Sequence, residues 1–266
     1  MNKKLIAVAI TLATPLFAVA ADAPATPEHA FTGNVTLASE YLYRGIAQTR
    51  GKPALQGDFD YAHASGLYAG VWGSNISWIG DGVAGASASL EIDVYGGYKG
   101  VISDDFGYDL GVLTYNYPGS GKPTGAAKPD TTEVYGALSY KWLTVKYSQS
   151  TGSLFGWTKP DGSKTSGSGY LELNAAYDLG DGWGVTGHIG HQKVKGYSDA
   201  SYSDYKVGVT KDLGFGVLGA AYSTTNANGD CAVGGATNPY CFVKAGTTDG
   251  YDAGKGRLLL SFSKSF

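Results

Sequence analysis

The feature that most constrains this chain is a period of two, sustained over long segments and repeated from one end to the other. From Phe31 to Arg44 the odd positions carry Phe31, Val35, Leu37, Tyr41 and Tyr43, while the even ones include Asn34, Thr36, Glu40 and Arg44. Leu55, Phe59 and Tyr61 oppose Gln56, Asp58 and Asp60, and Leu90, Ile92, Val94 and Tyr98 oppose Glu91, Asp93, Tyr95 and Lys99. Farther on, Leu171, Leu173, Ala175, Tyr177 and Leu179 oppose Glu172, Asn174 and Asp178. Successive side chains of a strand point to opposite faces, so this alternation predicts strands with one apolar and one polar face. The segments lie near 31–44, 54–62, 67–78, 88–99, 106–117, 131–140, 142–150, 170–179, 183–193, 203–211, 215–225 and 256–266. In the fifth, the apolar parity moves from Phe106, Tyr108, Leu110 and Val112 to Leu113, Tyr115 and Tyr117, which predicts a β-bulge.

The connections alternate in length. Short ones fall at 63–66, 100–105, 141–142, 180–182 and 212–214, and between them lie 45–53, 79–87, 118–130, 151–169, 194–202 and 226–255. This places the short turns at one end and the long loops at the other. A soluble β-sandwich is the structural rival, but its strands average about 5–6 residues. The segments here approach the roughly 9–11 that cross a bilayer at a tilt. An even strand count, short turns on one side, long loops on the other and aromatic girdles are the marks of a membrane barrel. The expected fold is all-β: a transmembrane, antiparallel, up-and-down β-barrel of about twelve strands.

Both ends of the chain agree with that expectation. Asn2-Lys3-Lys4 precedes an almost uncharged apolar run from Leu5 to Val19 that closes on Ala18-Val19-Ala20. Basic start, apolar stretch and small closing residues predict a cleaved secretory signal over residues 1–20, leaving 21–266 as one outer-membrane barrel of a Gram-negative cell. The last residues, "GRLLLSFSKSF", set Leu258, Leu260, Phe262 and Phe266 on one parity and stop on a ring. Such a strand suits closure against the first one, since no backbone group can face lipid unpaired. It also resembles the signal by which the outer-membrane assembly machinery recognises its clients. An exported chain folds in an oxidising compartment, so Cys231 and Cys241, ten positions apart, are expected to form a disulfide.

The stretch "SEYLYRGIAQTRGKPALQGDFDYAHASGLYAGVWGSNISW", Ser39 to Trp78, followed by "LEIDVYGGYKG" from Leu90, resembles the TorF-like family of outer-membrane porins. The matching residues are Tyr43-Arg44-Gly45, Gln48, Pro53-Ala54-Leu55-Gln56-Gly57, Gly66, Tyr68, Gly70, Trp72-Gly73-Ser74-Asn75 and the segment from Tyr95 to Gly100. The resemblance implies an outer-membrane β-barrel that acts as a pore.

Few residues suggest chemistry. Of the four histidines, His29 lies in the N-terminal segment, His63 in a short turn, and His188 and His191 differ by three, which puts them on opposite faces of a strand. That spacing disfavours a hydrolase, the third reading considered, and a metal site alike. "PGSGKPTG", from Pro118, carries Gly119, Gly121 and Lys122 but lacks the first glycine and the hydroxyl of a phosphate loop. A net charge of −3 disfavours a nucleic-acid partner, and no cofactor is implied. The informative set is the polar parity turned inward. Asp58, Asp60, Glu91, Asp93, Asp109 and Glu133 form one wall, and Lys146, Lys206, Arg257 and Arg44 another, with Glu40, Lys99, Glu172 and Asp178 as exceptions. As pore-lining residues these favour cations, nine acids against five bases. The predicted function is a passive channel for small polar solutes, with outer-membrane lipid as its surroundings. The rival is a plugged structural or adhesive barrel that binds partners through its long loops.

Overall fold

The computed structural model describes residues 27–266 apart from 83–85, 122–126, 232–237 and 245–246. The expected signal segment, 1–20, lies outside the described residues, as does part of the glycine-rich stretch after Pro118.

Twelve long strands form a closed barrel: β1 (His29–Ala38), β2 (Ala54–His63), β3 (Leu67–Asn75), β4 (Leu90–Ser103), β5 (Phe106–Asn116), β6 (Thr131–Tyr140), β7 (Leu143–Ser150), β8 (Gly169–Gly180), β9 (Trp183–Lys193), β10 (Tyr202–Asp212), β11 (Val217–Thr225) and β12 (Arg257–Ser265). Each pairs antiparallel with its neighbours in sequence, and β1 closes the ring against β12 with Asn34 opposite Ser265 and Ala38 opposite Ser261. The closure extends one residue past β12, where Gly33 and Phe266 exchange two backbone hydrogen bonds of 3.0 Å. A barrel leaves no edge, so the backbone groups of every strand are met within the sheet.

Four of the five short connections take positive φ, at Gly66, Lys141, Gly180 to Gly182 and Gly214. At the β8–β9 turn Asp181 has φ 52° and Gly182 φ 76°, and a Cβ on Gly182 would stand 2.9 Å from the Asp212 carbonyl oxygen. Glycine fits both demands. The long connections gather at the opposite rim and carry a short helix, α1 (Trp78–Gly82), and a two-stranded hairpin of Cys241–Val243 with Gly250–Asp252. Cys231 and Cys241 are joined by a disulfide at the base of that hairpin.

The outside of the barrel is apolar. Leu37, Leu110, Leu138 and Val207 are 56–63% exposed, and similar side chains continue around the ring. Aromatics band the short-turn rim: Phe106 lies 4.6 Å from Tyr140, and Trp142 6.0 Å from Tyr177. The inside is polar, with Thr36, Gln56, Glu91, Asp93, Asp109 and Glu133 all buried.

Two expectations need correction. The register of β5 runs unbroken from Phe106 to Tyr115 against β6, so the bulge expected there does not exist. The odd parity points inward throughout, from Gly107 and Asp109 to Leu113 and Tyr115. What changes along β5 is the interior, which turns from charged to aromatic toward the long loops. The first strand also ends at Ala38 rather than Arg44. From Glu40 to Thr49 both parities are buried, so alternation persists in a segment that is enclosed on every side.

Candidate functional site

The connection between β1 and β2 folds into the barrel. Leu42–Tyr43 pairs with Ile46–Ala47 in a tight hairpin, and its corner residues have positive φ, 47° at Arg44 and 77° at Gly45. A Cβ on Gly45 would lie 2.4 Å from the Thr225 side chain and 2.9 Å from that of Asp204, so glycine is needed for both conformation and space.

The hairpin carries Arg44 to the far wall. The guanidinium makes a two-pronged ion pair with Glu133 on β6, at 2.7 and 3.0 Å, and donates to Gln192 on β9 at 2.6 Å. In the ring order, β6 and β9 are five and four strands from β1. Arg44 therefore spans the lumen. Its planar face lies 4.1 Å from the centroid of Tyr170 and 4.8 Å from that of Tyr43. Tyr43 donates to Tyr115 at 2.7 Å, which donates to Glu133 at 3.2 Å. Arg44 is 5% and Glu133 1% exposed. A buried pair with its remaining valences satisfied holds its geometry firmly, because losing either partner strands the other charge.

The hairpin separates two cavities, and Tyr43 lines both. On the long-loop side lies a vestibule of about 560 Å³ walled mainly by aromatic side chains. On the other side is a narrower space of about 90 Å³, where Glu40, Asp93 and Glu172 face Arg44, Lys146 and Lys206.

The residues expected inside mostly sit there, but they are paired rather than ranged on opposed walls. Asn34 donates to Asp58 at 2.7 Å and the Tyr95 phenol to Asp60 at 2.6 Å. Tyr117 donates to Glu91 at 3.2 Å, and Tyr68 to Asp109 at 2.6 Å while also bonded to Tyr135. Lys99 lies over Tyr68, and Lys146 stands opposite Glu172 in register with its ammonium 4.1 Å from the Tyr135 ring centroid. Glu40 and Arg44 belong to the inward hairpin segment and not to strand one. Arg257 meets Glu40 at 3.0 Å, and the Tyr251 phenol donates to the same carboxylate at 2.8 Å. Burial and that hydrogen bond push the Tyr251 phenol up to about 12. Asp178 is exposed at the short-turn end of β8, where it accepts the Gly180 amide at 2.8 Å.

Several participants were missed. Asp204 is buried beside His188, whose Nε2 lies 2.7 Å from it, with Tyr170 donating to it at 2.9 Å. Asp204 shares the parity of Lys206, the signal that would have found it. Spacing along a single strand separates His188 from His191 and says nothing of pairs formed between strands. Across strands, His29 stands opposite His63, and with Glu28 their ligand atoms lie within 4.8 Å of one another at the short-turn rim, a group that could hold a metal ion.

Residues 21–249 match the model of a bacterial family of unknown function, Gcw_chp. The chain belongs to this family. No curated protein matches this Gcw_chp member. Among solved structures it is similar to a KdgM porin, at 9% identity and TM-score 0.51 over 88% of this chain and 99% of that one. It is also similar to the NanC porin in a rhombohedral crystal form, at 11% identity and TM-score 0.51 over 89% and 99%. At such identities the likeness establishes the fold of the Gcw_chp chain. The narrower resemblance to TorF-like porins rests on the motif residues, of which Tyr43-Arg44-Gly45 is the tip of the inward hairpin.

Proposed function

We propose that this protein is an outer-membrane channel for the passive passage of small polar solutes, held narrow by the Arg44 hairpin. The observation that carries this is the inversion of the molecule: a closed barrel, apolar outside and charged inside, with one salt-bridged hairpin between two cavities. An apolar surface running all the way round a barrel suits lipid and not water. A lumen of paired charges selects by width and field and transforms nothing. The expected signal at 1–20 and the closing strand that ends on Phe266 support export and insertion by the assembly machinery. Around the lumen the acids Glu40, Asp58, Asp60, Glu91, Asp93, Asp109, Glu133, Glu172 and Asp204 outnumber the bases Arg44, Lys99, Lys146, Lys206 and Arg257, which supports a preference for cations.

One observation favours the second reading, a plugged barrel: the Arg44–Glu133 pair is buried and spans the lumen near the long-loop ends of β6 and β9. Proteoliposome swelling separates the two. Vesicles holding the protein should swell in isotonic glycine or arabinose and not in a large oligosaccharide. Absence of swelling in every solute, for wild type and for Arg44→Ser with Glu133→Gln, would establish the plug.

A further inference from the structure

We propose that the vestibule above the Arg44 hairpin is a binding site for a small aromatic acid: one or two fused rings bearing a single negative group. The site stands on the cavity itself, and only its role as an entrance rests on the channel reading. Its volume, about 560 Å³, falls within the roughly 300–1,000 Å³ range of small-molecule pockets.

The walls define the ring. Nine aromatic side chains line the vestibule, and several of them are steeply inclined to one another. Trp157 is 69° from the planes of both Tyr197 and Tyr240, with centroids 5.2 and 6.1 Å away. Trp78 meets Tyr117 at 88° and 5.4 Å, and Phe155 meets Tyr43 at 77° and 5.3 Å. Tilted and edge-to-face packing is how aromatic rings attract another ring. A sugar or an amino acid without a ring would leave most of this surface unmatched.

The charges define the acid. Among the described lining residues there is no carboxylate, and Lys159 is the one ionic side chain. Aromatic faces also attract cations, but a cation here would meet Lys159 at the wall. An acid meets favourable charge at Lys159.

Isothermal titration of the detergent-folded protein at neutral pH tests this, with four probes: naphthoate, the neutral naphthalenemethanol, the cationic naphthylmethylamine, and glucose. Naphthoate should bind saturably, with the alcohol roughly fivefold weaker for want of the charge-assisted contact, and the amine weaker still. Trp157→Ala should abolish the naphthoate signal, and Lys159→Gln should bring naphthoate down to the level of the alcohol while leaving the alcohol unchanged. Trp142→Ala, on the outer face, controls for rings entering the micelle and should change nothing. Equal naphthoate binding in wild type and Trp157→Ala, or an amine that binds as tightly as the acid, would overturn the inference. A saturable acid site in a barrel that conducts nothing removes the channel reading alone, and conduction without such a site removes this inference alone.

Discussion

At the scale of single residues, Arg44 decides the interior. A buried charge inside the barrel is stable only because Glu133, Gln192 and the Tyr170 face meet it together. Arg44→Ala should therefore cost about 3–5 kcal/mol in urea unfolding, since it leaves Glu133 buried and unpaired. Arg44→Met combined with Glu133→Leu should fall within about 1 kcal/mol of wild type, because removing both partners removes the stranded charge. Equal losses for the single and double changes would show that the pair does not act as a unit. The polar parity made most of these residues legible from sequence. What it could not give was partnership: Arg44 and Glu133 lie 89 positions apart, and only the folding-in of a loop joins them. Asp178 carries that parity to the short-turn end of β8, where its side chain also caps Gly180.

At the scale of elements, strands were legible and the inward hairpin was not. Ten of the twelve strands lie within three residues of their expected bounds at both ends, and β4 runs four residues farther, since a half-buried strand writes its burial directly into alternation. The segment after Ala38 keeps the same alternation while enclosed on all sides, so periodicity cannot tell it from a continuing strand. For the same reason the change of parity in β5 was mistaken for a bulge. Leu113 and Tyr115 are apolar and inward because the hairpin packs against them. Two predictions belong here. Deleting Phe266 should reduce folded yield more than removing one residue from the loop 151–169, because Phe266 exchanges two hydrogen bonds with Gly33 at the seam. Similar yields on a semi-native gel would contradict that. Replacing Cys231 and Cys241 with serine should open the loop 226–255 to protease while the barrel fragment survives, since the bond constrains a loop and not the ring. Cleavage within the barrel strands would show a wider role.

At the scale of the whole molecule, the account is of a ring with lipid outside and charge within. Nine acids against five bases in a low-dielectric lumen should draw cations, so the reversal potential across a salt gradient should carry the cation sign. Asp58→Asn with Asp60→Asn should move it toward zero, and an anion-selective wild type would place the field elsewhere. The central claim, a channel narrowed by the Arg44 hairpin, is tested most directly by single-channel conductance in planar lipid bilayers for wild type and for Arg44→Ser with Glu133→Gln. The double change removes the clamp without leaving a buried charge, so wild type should show small discrete steps and the variant steps at least about twofold larger. Steps of equal size, or none from either protein, would contradict it.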